Sequence, residues 1–219
     1  MAPSGGGEIA VRRAVPCSQR MPDATPTAEA PGGRAVRRFL RRRWIGVVLL
    51  VPAALATLWL PPLVDAESRS AAIAGLLAWP VLAAGISLRL WSTLHIGGHK
   101  RERVVMDGPY SMCRNPLYLA TVLNVVSAAL FFRSPYLLAA AGLLGLSYAW
   151  LTIPDEERFL SSTLGEPYLE YCRRVPRLLP RPWLYRRSTE LDVHFPALRR
   201  ELRRSAWCLL VPVLSYALR

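Results

Sequence analysis

One short stretch, residues 107–118, holds most of the side chains in this sequence that could do chemistry. Gly108-Pro109-Tyr110 predicts a turn, and Arg114 directly precedes Asn115-Pro116. Asparagine before a helix and proline at its first position are typical of a helix start. The free N–H groups at such a start, together with an arginine, can hold a carboxylate or a phosphate. The stretch therefore predicts an anion-binding site at the mouth of an apolar helix, with Tyr118 one turn inside it.

A cluster of carboxylates, Asp155-Glu156-Glu157, follows the apolar hairpin that begins at this helix start. Only Arg133-Ser134 separates the two apolar runs of the hairpin, so they predict antiparallel neighbours with the cluster near Arg114. A positive and a negative pole suit a zwitterion such as S-adenosylmethionine, which has a carboxylate, an ammonium and a sulfonium. Each feature also has a simpler explanation, since acidic residues favour first helical turns and arginine marks cytoplasmic loops.

Apolar runs of helix length must position these residues. The chain has 219 residues, 52% of them hydrophobic, and a formal net charge of +13. A soluble nucleic-acid-binding protein would explain the charge but not the runs at 44–64, 71–94, 117–132 and 135–153, since ~20 apolar residues span a bilayer. A fifth run, 206–218, is short, and either lies at the interface or crosses thinned lipid. The sequence predicts an all-α integral membrane helical bundle of four to five transmembrane helices with a cytoplasmic cofactor site.

Arginine is distributed unequally between the loops. It is concentrated before the first run, in the 95–116 loop and in the 154–205 tail, whereas the opposite loops hold only Arg69 and Arg133. The positive-inside rule then predicts a cytoplasmic N-terminus and a cytoplasmic site. The preference for arginine over lysine favours a bacterial chain, and hence the inner membrane. The basic tail lacks a nucleic-acid-binding motif, so anionic lipid is its expected partner.

The chain divides into three parts by composition. Residues 1–36 predict a disordered tail without a signal peptide, 37–182 a transmembrane catalytic domain, and 183–219 an amphipathic helix from 191 to 202 followed by the short apolar helix. The four cysteines are scattered and predict neither a disulfide framework nor a zinc site.

Three candidates allow more than one interpretation. His95 and His99 are four residues apart, as two metal ligands on a helix would be, but Gly97-Gly98 interrupts the helix and no third ligand follows. We therefore predict no metal site, and either a cofactor or headgroup contact or a plain loop role. Arg89 either extends to the membrane surface or faces the site to meet a phosphate or carboxylate.

The order of these motifs resembles the isoprenylcysteine carboxyl methyltransferase and phospholipid methyltransferase superfamily. The shared pattern comprises Gly108-Pro109-Tyr110, Arg114-Asn115-Pro116-Leu117-Tyr118, Glu156-Glu157, Tyr168 with Tyr171, and a proline-bounded tail. The resemblance covers residues 75–182. Asn115 stands where the eukaryotic enzymes have histidine, which removes a possible proton acceptor. Gly97-Gly98 matches the family's cofactor glycines only loosely.

The resemblance implies an enzyme that transfers a methyl group from S-adenosylmethionine to a lipophilic acceptor in the bilayer. Arg114 and Glu157 are the predicted catalytic residues. The predicted cofactor contacts are His95, Gly97, Gly98, Gly108, Pro109, Tyr110, Asn115, Pro116, Tyr118, Glu156 and Glu157. The alternatives are an NADPH-dependent reductase of sterols or isoprenoids and a non-enzymatic membrane scaffold. The sequence indicates neither the acceptor atom nor the oligomeric state.

Overall fold

A computed structural model describes residues 33–62, 64–65, 67–96, 104–188 and 193–218, with side chains from residue 44 onward. The predicted N-terminal tail therefore lies almost wholly outside the described residues. The α-helices are α1 (Gly33–Trp59), α2 (Arg69–Ile96), α3 (Pro109–Met112), α4 (Pro116–Phe131), α5 (Pro135–Ser147), α6 (Ile153–Leu164), α7 (Glu166–Arg174) and α8 (Phe195–Leu218). A π-helical turn, Tyr148–Thr152, joins α5 to α6, and Pro182–Leu184 forms a 3₁₀ turn. The all-α prediction is confirmed for the described residues.

The outer surface of the bundle is apolar. Two described helices, Arg69–Ile96 and the continuous Pro135–Leu164, are long and apolar enough to cross a membrane, and Trp44–Trp59 and Pro116–Phe131 are shorter apolar helices. Large apolar side chains on these helices, including Leu76 and Trp150, are exposed. Exposed apolar surface of this extent suits lipid better than water. The apolar helices are therefore consistent with an integral membrane protein.

Prolines explain two of the predicted boundaries that are wrong. α1 ends at Trp59 rather than at residue 64, because Pro61-Pro62 disfavours a helical conformation in the residues before it. The fourth helix does not end at Ile153-Pro154 but continues through α6 to Leu164. Pro154 lacks an N–H and its ring crowds the preceding turn, and the wider π-helical turn before it accommodates both effects.

The hairpin between α4 and α5 forms as predicted. Ser134 is the N-cap of α5 and accepts a hydrogen bond from the Leu137 N–H at 3.3 Å, with Pro135 at the first position. The Ser134 hydroxyl also lies 2.5 Å from the Thr57 hydroxyl of α1. α5 thus packs against both α4 and α1, through a small core that includes Ala53, Ala129 and Ala140.

α8 runs the length of the bundle and packs against α2 and α4. The predicted amphipathic segment and the predicted short apolar run form one helix, which begins at Phe195 rather than at 191. Glu201 near its start lies by the C-terminal end of α2, whereas Ser215 near its end lines a pocket with Glu67 and Arg133. The two ends of α8 therefore reach the two opposite ends of the bundle.

Candidate functional site

A cavity of about 470 Å³ opens where α2, α4, α6, α7 and α8 converge. This volume falls in the range of small-molecule sites, roughly 300–1,000 Å³. Six of the predicted site residues line it: Tyr110, Arg114, Asn115, Pro116, Tyr118 and Glu156. The rest of the lining is Arg89, Thr93, Ile96, Val104, Val105, Leu117, Thr121, Tyr148, Leu160, Leu164, Tyr168, Tyr171, Glu201 and Arg204. The hairpin thus brings the predicted helix start and one of the predicted carboxylates to a single cavity.

Two donors on residues that line this cavity are buried and have no partner among the described residues. They are the Tyr110 hydroxyl and the Nε of Arg114. Burial, and to a lesser degree the charge of Glu156, raises the pKa of Tyr110, which stays a neutral phenol and can donate a hydrogen bond. A buried donor without an acceptor costs about 1–3 kcal/mol. Both groups are therefore suited to a ligand that carries oxygen acceptors.

The start of α4 is built differently from the prediction. Asn115 occupies the N-cap position, but its side chain makes no capping hydrogen bond, and Nδ2 donates instead to the Arg177 carbonyl at 3.0 Å. The prediction of a side-chain cap is therefore wrong, because a neighbouring carbonyl competes for the amide. Pro116 is buried at the first helical position, as predicted. In the first turn Pro116 has no N–H, and the N–H groups of Tyr118 and Leu119 donate to the Asn115 carbonyl at 3.2 and 3.3 Å.

The two predicted glutamates differ in position. Glu156 lines the cavity and accepts a hydrogen bond from the Tyr118 hydroxyl at 2.8 Å, and the Tyr118 ring packs on Tyr148 with centroids 4.6 Å apart. Glu157 lies outside the described cavity lining and forms ion pairs with two arginines. Its Oε2 is 2.8 Å from Nη2 of Arg177, and its Oε1 is 3.4 Å from Nη2 of Arg114. Of the two, Glu156 is the one placed to meet a ligand. The catalytic role of Glu157 stays a prediction.

Three other predicted contacts, His95, Gly108 and Pro109, do not line the described cavity but pack behind the residues that do. The His95 Nδ1 lies 3.0 Å from the Trp91 carbonyl, to which it can donate, and its ring packs directly on Gly108. Gly108 has φ +60°, and a Cβ there would lie 2.2 Å from the His95 Nε2. Pro109 is fully buried. Gly97, Gly98 and His99 lie outside the described residues.

The proline-bounded tail, residues 175–186, acts as a strap along the 108–115 segment. The Arg114 N–H donates to the Pro176 carbonyl at 2.9 Å, and the Arg181 N–H donates to the Met112 carbonyl at 3.0 Å. The Gly108 N–H donates to the Arg186 carbonyl at 2.9 Å. Backbone bonds at both ends and in the middle of the strap hold the arginine and tyrosine of the site in place.

Two tyrosines and a cysteine complete this packing. The Tyr171 hydroxyl donates to the Tyr110 carbonyl at 2.8 Å, and the Tyr168 ring lies next to that of Tyr171. Burial raises the pKa of both tyrosines, and it raises the pKa of Cys113 to about 11. Cys113 therefore stays a neutral thiol, which is a weak nucleophile.

Sequence reasoning missed the two charged residues that α8 contributes to the cavity, Glu201 and Arg204. Glu201 is 5% exposed and pairs with Arg89 of α2, so Arg89 faces the site rather than the membrane surface. Both α8 residues lie in a run of arginines that is typical of a solvated surface. The signal was the single acidic residue among Arg199, Arg200, Arg203 and Arg204.

These features define an all-helical protein whose apolar helices are consistent with an integral membrane protein and whose bundle has a cavity at one end. The chain belongs to the phospholipid methyltransferase family, whose profile matches residues 71–167. The matched range contains α4, the hairpin and Glu156, but not α8. No solved structure matches the chain.

Three curated relatives are similar to the chain. The cobalt-zinc-cadmium resistance protein CzcN of Cupriavidus metallidurans is 35% identical over 202 residues, 86% of this chain and 88% of that protein. The nickel-cobalt-cadmium resistance protein NccN of Alcaligenes xylosoxydans xylosoxydans is 36% identical over 124 residues, 55% of this chain and 56% of that protein. Protein-S-isoprenylcysteine O-methyltransferase B of Arabidopsis thaliana is 26% identical over 87 residues, 40% and 44% of the two chains.

Proposed function

We propose that this protein transfers a methyl group from S-adenosylmethionine to a lipophilic acceptor dissolved in the membrane. One observation carries the proposal. Two residues with buried, unpartnered donors line the same cavity as a carboxylate. The donors are the Tyr110 hydroxyl and the Arg114 Nε, and the carboxylate is Glu156. Family membership supports the same reaction class.

The residues present fit the cofactor. Arg114 and Tyr110 would hold its carboxylate, and Glu156 would hold its ammonium. When bound, the cofactor supplies a methyl group whose bond to sulfur breaks, leaving the electron pair on sulfur, as the bond to the acceptor forms. The chain contributes alignment, which is the main requirement of an in-line displacement. Val104, Leu160 and Leu164 make part of the wall apolar and exclude water.

The proposal places the cavity on the cytoplasmic side of a bacterial inner membrane, with four to five helices crossing it. The asymmetric distribution of arginine supports this orientation. The exposed apolar side chains of α1, α2, α5 and α8 support contact with lipid on most sides of the bundle. An acceptor dissolved in the bilayer could then reach the cavity without leaving the membrane.

A calorimetric titration of S-adenosylmethionine into the full chain in maltoside detergent tests the proposal. We expect binding by the wild-type protein and at least tenfold weaker binding by Glu156→Gln and by Tyr110→Phe. The matched control is Glu166→Gln, an exposed acid in an ion pair with Arg173. Glu157→Gln should weaken binding less than Glu156→Gln does, because Glu157 lies outside the lining and contacts the site only through its ion pair with Arg114. Binding of NADPH instead of S-adenosylmethionine would favour the reductase, and binding of neither would favour a scaffold.

The acceptor can be found with a methyl-labelled cofactor. Membranes from a strain lacking the gene are incubated with labelled S-adenosylmethionine and the purified protein, and the lipid extract is separated. We expect one labelled species in the organic phase that is absent with Tyr110→Phe. Label that stays entirely in the protein or aqueous phase would contradict a lipophilic acceptor.

We also propose that the reaction contributes to tolerance of divalent metal ions. The support is the similarity to two proteins named for resistance to cobalt, cadmium and, in one case each, zinc or nickel. A deletion strain should grow less well than its parent in cobalt, zinc or cadmium. Complementation by the wild-type gene, but not by Tyr110→Phe, would link tolerance to the reaction, whereas equal complementation by both would separate the two.

A further inference from the structure

The end of the bundle away from the proposed cofactor cavity holds an open groove of about 630 Å³. This hairpin groove lies where the first turns of α2, the hairpin between α4 and α5 and the last turn of α8 meet. Its apolar wall includes Trp79 and Phe131, whose rings pack edge to face with centroids 5.2 Å apart. Its charged residues are Glu67 and Arg133. The described lining of this groove shares no residue with that of the cofactor cavity.

Arg133 adopts a backbone conformation that costs free energy for a residue with a Cβ. Its φ is +49°, and no other non-glycine residue in the described part of the chain has a positive φ. The Arg133 N–H donates to the Leu130 carbonyl at 3.1 Å, and the Ser134 N–H donates to the Ala129 carbonyl at 2.9 Å. This is the Schellman pattern that ends many helices, and glycine usually occupies its left-handed position. Glycine would form the same turn with less strain, so the turn does not account for the arginine side chain.

The Arg133 side chain has a buried donor without a partner. Its Nε is buried and has no acceptor among the described residues. A buried donor that lacks an acceptor is costly, and the planar fork of a guanidinium matches two oxygens of a phosphate. The phosphate groups of a bilayer lie in the polar layer that flanks the hydrocarbon core, where membrane-spanning helices end. Arg133 is therefore placed to meet a lipid phosphate.

The groove continues as apolar surface along α2. Leu76 and Trp79 line it and are 73% and 50% exposed. An acyl chain attached to a phosphate at Arg133 would lie along these side chains, toward the middle of the bundle. Glu67 is exposed at the same groove and adds a negative charge. The two charges together complement a headgroup that carries an ammonium beside its phosphate.

A cation at the C-terminal end of α4 could instead serve only the helix dipole. A solvated side chain near the last carbonyls would be enough for that role, and it would not require a buried, unpartnered Nε. Membrane topology does not account for this arginine either. The positive-inside rule concentrates arginine at the cytoplasmic end, and Arg133 lies in one of the opposite loops.

We propose that the hairpin groove binds one membrane phospholipid, with its phosphate on Arg133 and an acyl chain on Leu76 and Trp79. Glu67 favours a headgroup that also carries an ammonium. In the orientation proposed above, this lipid belongs to the outer leaflet of the inner membrane. It joins α2, the hairpin and α8 at the end opposite the cofactor cavity. The site is separate from the proposed methyl transfer, and neither proposal depends on the other.

Native mass spectrometry of the full chain in maltoside micelles tests the inference. The micelles contain dioleoyl phosphatidylcholine, dioleoyl phosphatidylglycerol or dioleoylglycerol, which share their acyl chains and differ at the headgroup. We expect the wild-type protein to retain one phosphatidylcholine, at least tenfold more than dioleoylglycerol, because only the former offers phosphate oxygens. Phosphatidylglycerol should be retained about threefold less than phosphatidylcholine, as expected for one exposed charge, and Glu67→Gln should remove that difference.

Arg133→Gly is the most informative variant, because glycine fits the turn. Its thermal unfolding midpoint in lipid-free maltoside should be at least that of wild type, whereas its retention of phosphatidylcholine should fall at least tenfold. Arg133→Lys, which keeps the charge, should retain more lipid than Arg133→Gly. The matched control is Arg69→Gln, an exposed arginine at the same end and outside the described groove lining, which should retain lipid as wild type does.

Four results would overturn the inference. Equal retention of dioleoylglycerol and phosphatidylcholine would remove the phosphate from the recognition, and wild-type retention by Arg133→Gly would remove the arginine. A lower unfolding midpoint of Arg133→Gly in lipid-free maltoside would mean that the arginine serves the turn itself. Loss of lipid in Arg204→Gln, which should retain it, would place the lipid in the cofactor cavity. Glycerophosphocholine, the headgroup without acyl chains, should leave the bound lipid in place at equal concentration.

Discussion

Gly108 is the residue at which backbone and site depend on each other most directly. Its φ of +60° and ψ of −132° fall in a region open almost only to glycine, and the His95 ring occupies the space where a Cβ would lie. Because Tyr110 follows two residues later, this turn helps to set where the Tyr110 side chain meets the cavity wall. His95 is therefore part of the site through Gly108, although it does not line the described cavity.

Gly108 is constrained both by its positive φ and by the His95 ring, and a comparison with Gly165 separates the two effects. Gly165 has nearly the same conformation, φ +67° and ψ −145°, but nothing lies within 4 Å of the position of its Cβ. Gly165→Ala should cost only backbone strain, about 1–3 kcal/mol. Gly108→Ala should cost a further ~1–3 kcal/mol from overpacking against His95. Thermal and denaturant unfolding in detergent would measure both.

The double variant His95→Ala/Gly108→Ala provides the control. Removing the His95 ring should restore the part of the unfolding free energy that Gly108→Ala loses to overpacking. The coupling energy between the two positions should therefore be about 1–3 kcal/mol. Equal unfolding free energies for Gly108→Ala and Gly165→Ala would contradict the contact with His95.

At the scale of elements, the close approach of α2 and α4 fixes the position of the cavity. Gly85 faces Asn124, whose Oδ1 would lie 2.1 Å from a Cβ at Gly85 and whose backbone nitrogen would lie 3.2 Å away. Ser127 of α4 donates to the Ala78 carbonyl of α2 at 3.0 Å. Glycine and small residues at such contacts let two helices approach closely in membranes.

Gly85→Ala should therefore destabilise the bundle by about 1–3 kcal/mol, because Asn124 must move. Gly75→Ala, on the same helix, is the matched control. Nothing lies within 4 Å of its Cβ position, so it should gain up to ~1 kcal/mol from helix propensity. Unfolding in detergent would compare the two variants. Similar effects of the two variants on the unfolding free energy would mean that the close contact contributes little. Adding Asn124→Ala should restore the stability of Gly85→Ala but leave that of Gly75→Ala unchanged.

The sequence predicted elements well where one strong signal acted locally. Ser134-Pro135 marked the start of α5, and Asn115-Pro116 marked that of α4. It failed where a tertiary contact competed with the local signal. Pro154 was read as a helix end, but a π-helical turn accommodates it. Asn115 was read as a cap, but the Arg177 carbonyl accepts from its amide.

The distinction between local signals and tertiary contacts also explains which part of the candidate site the sequence predicted and which part it missed. The motifs from Gly108 to Glu156 lie on neighbouring elements joined by a two-residue hairpin, so sequence order already brings them together. Glu201 reaches the cavity only because α8 packs back on α2 and α4. Its partner Arg89 is 112 positions away. Nothing in the local sequence indicates that pairing.

At the scale of the whole molecule, the two ends of the bundle differ in chemistry. One end holds the cavity with Arg89, Arg114 and Glu156. The other holds a pocket lined by Glu67 before α2, Arg133 of the hairpin and Tyr216 near the end of α8. The loops that the arginine count assigns to opposite sides of a membrane therefore lie at opposite ends of the fold. This agreement makes the proposed orientation testable at single positions.

Two serines, the half-buried Ser68 and the exposed Ser162, can report the orientation. Ser68 lies before α2 at the end away from the cavity, and Ser162 lies on α6 beyond the carboxylate cluster. We expect a membrane-impermeant maleimide to label Ser68→Cys in cells with a permeable outer membrane. Ser162→Cys should react only after the inner membrane is opened, because the proposed orientation puts the cavity end in the cytoplasm. The background carries Cys17→Ser, Cys172→Ser and Cys208→Ser, and buried Cys113 can stay because its neutral thiol reacts slowly. The reverse labelling pattern would invert the topology, and labelling of both sites in unopened cells would contradict a membrane-spanning bundle.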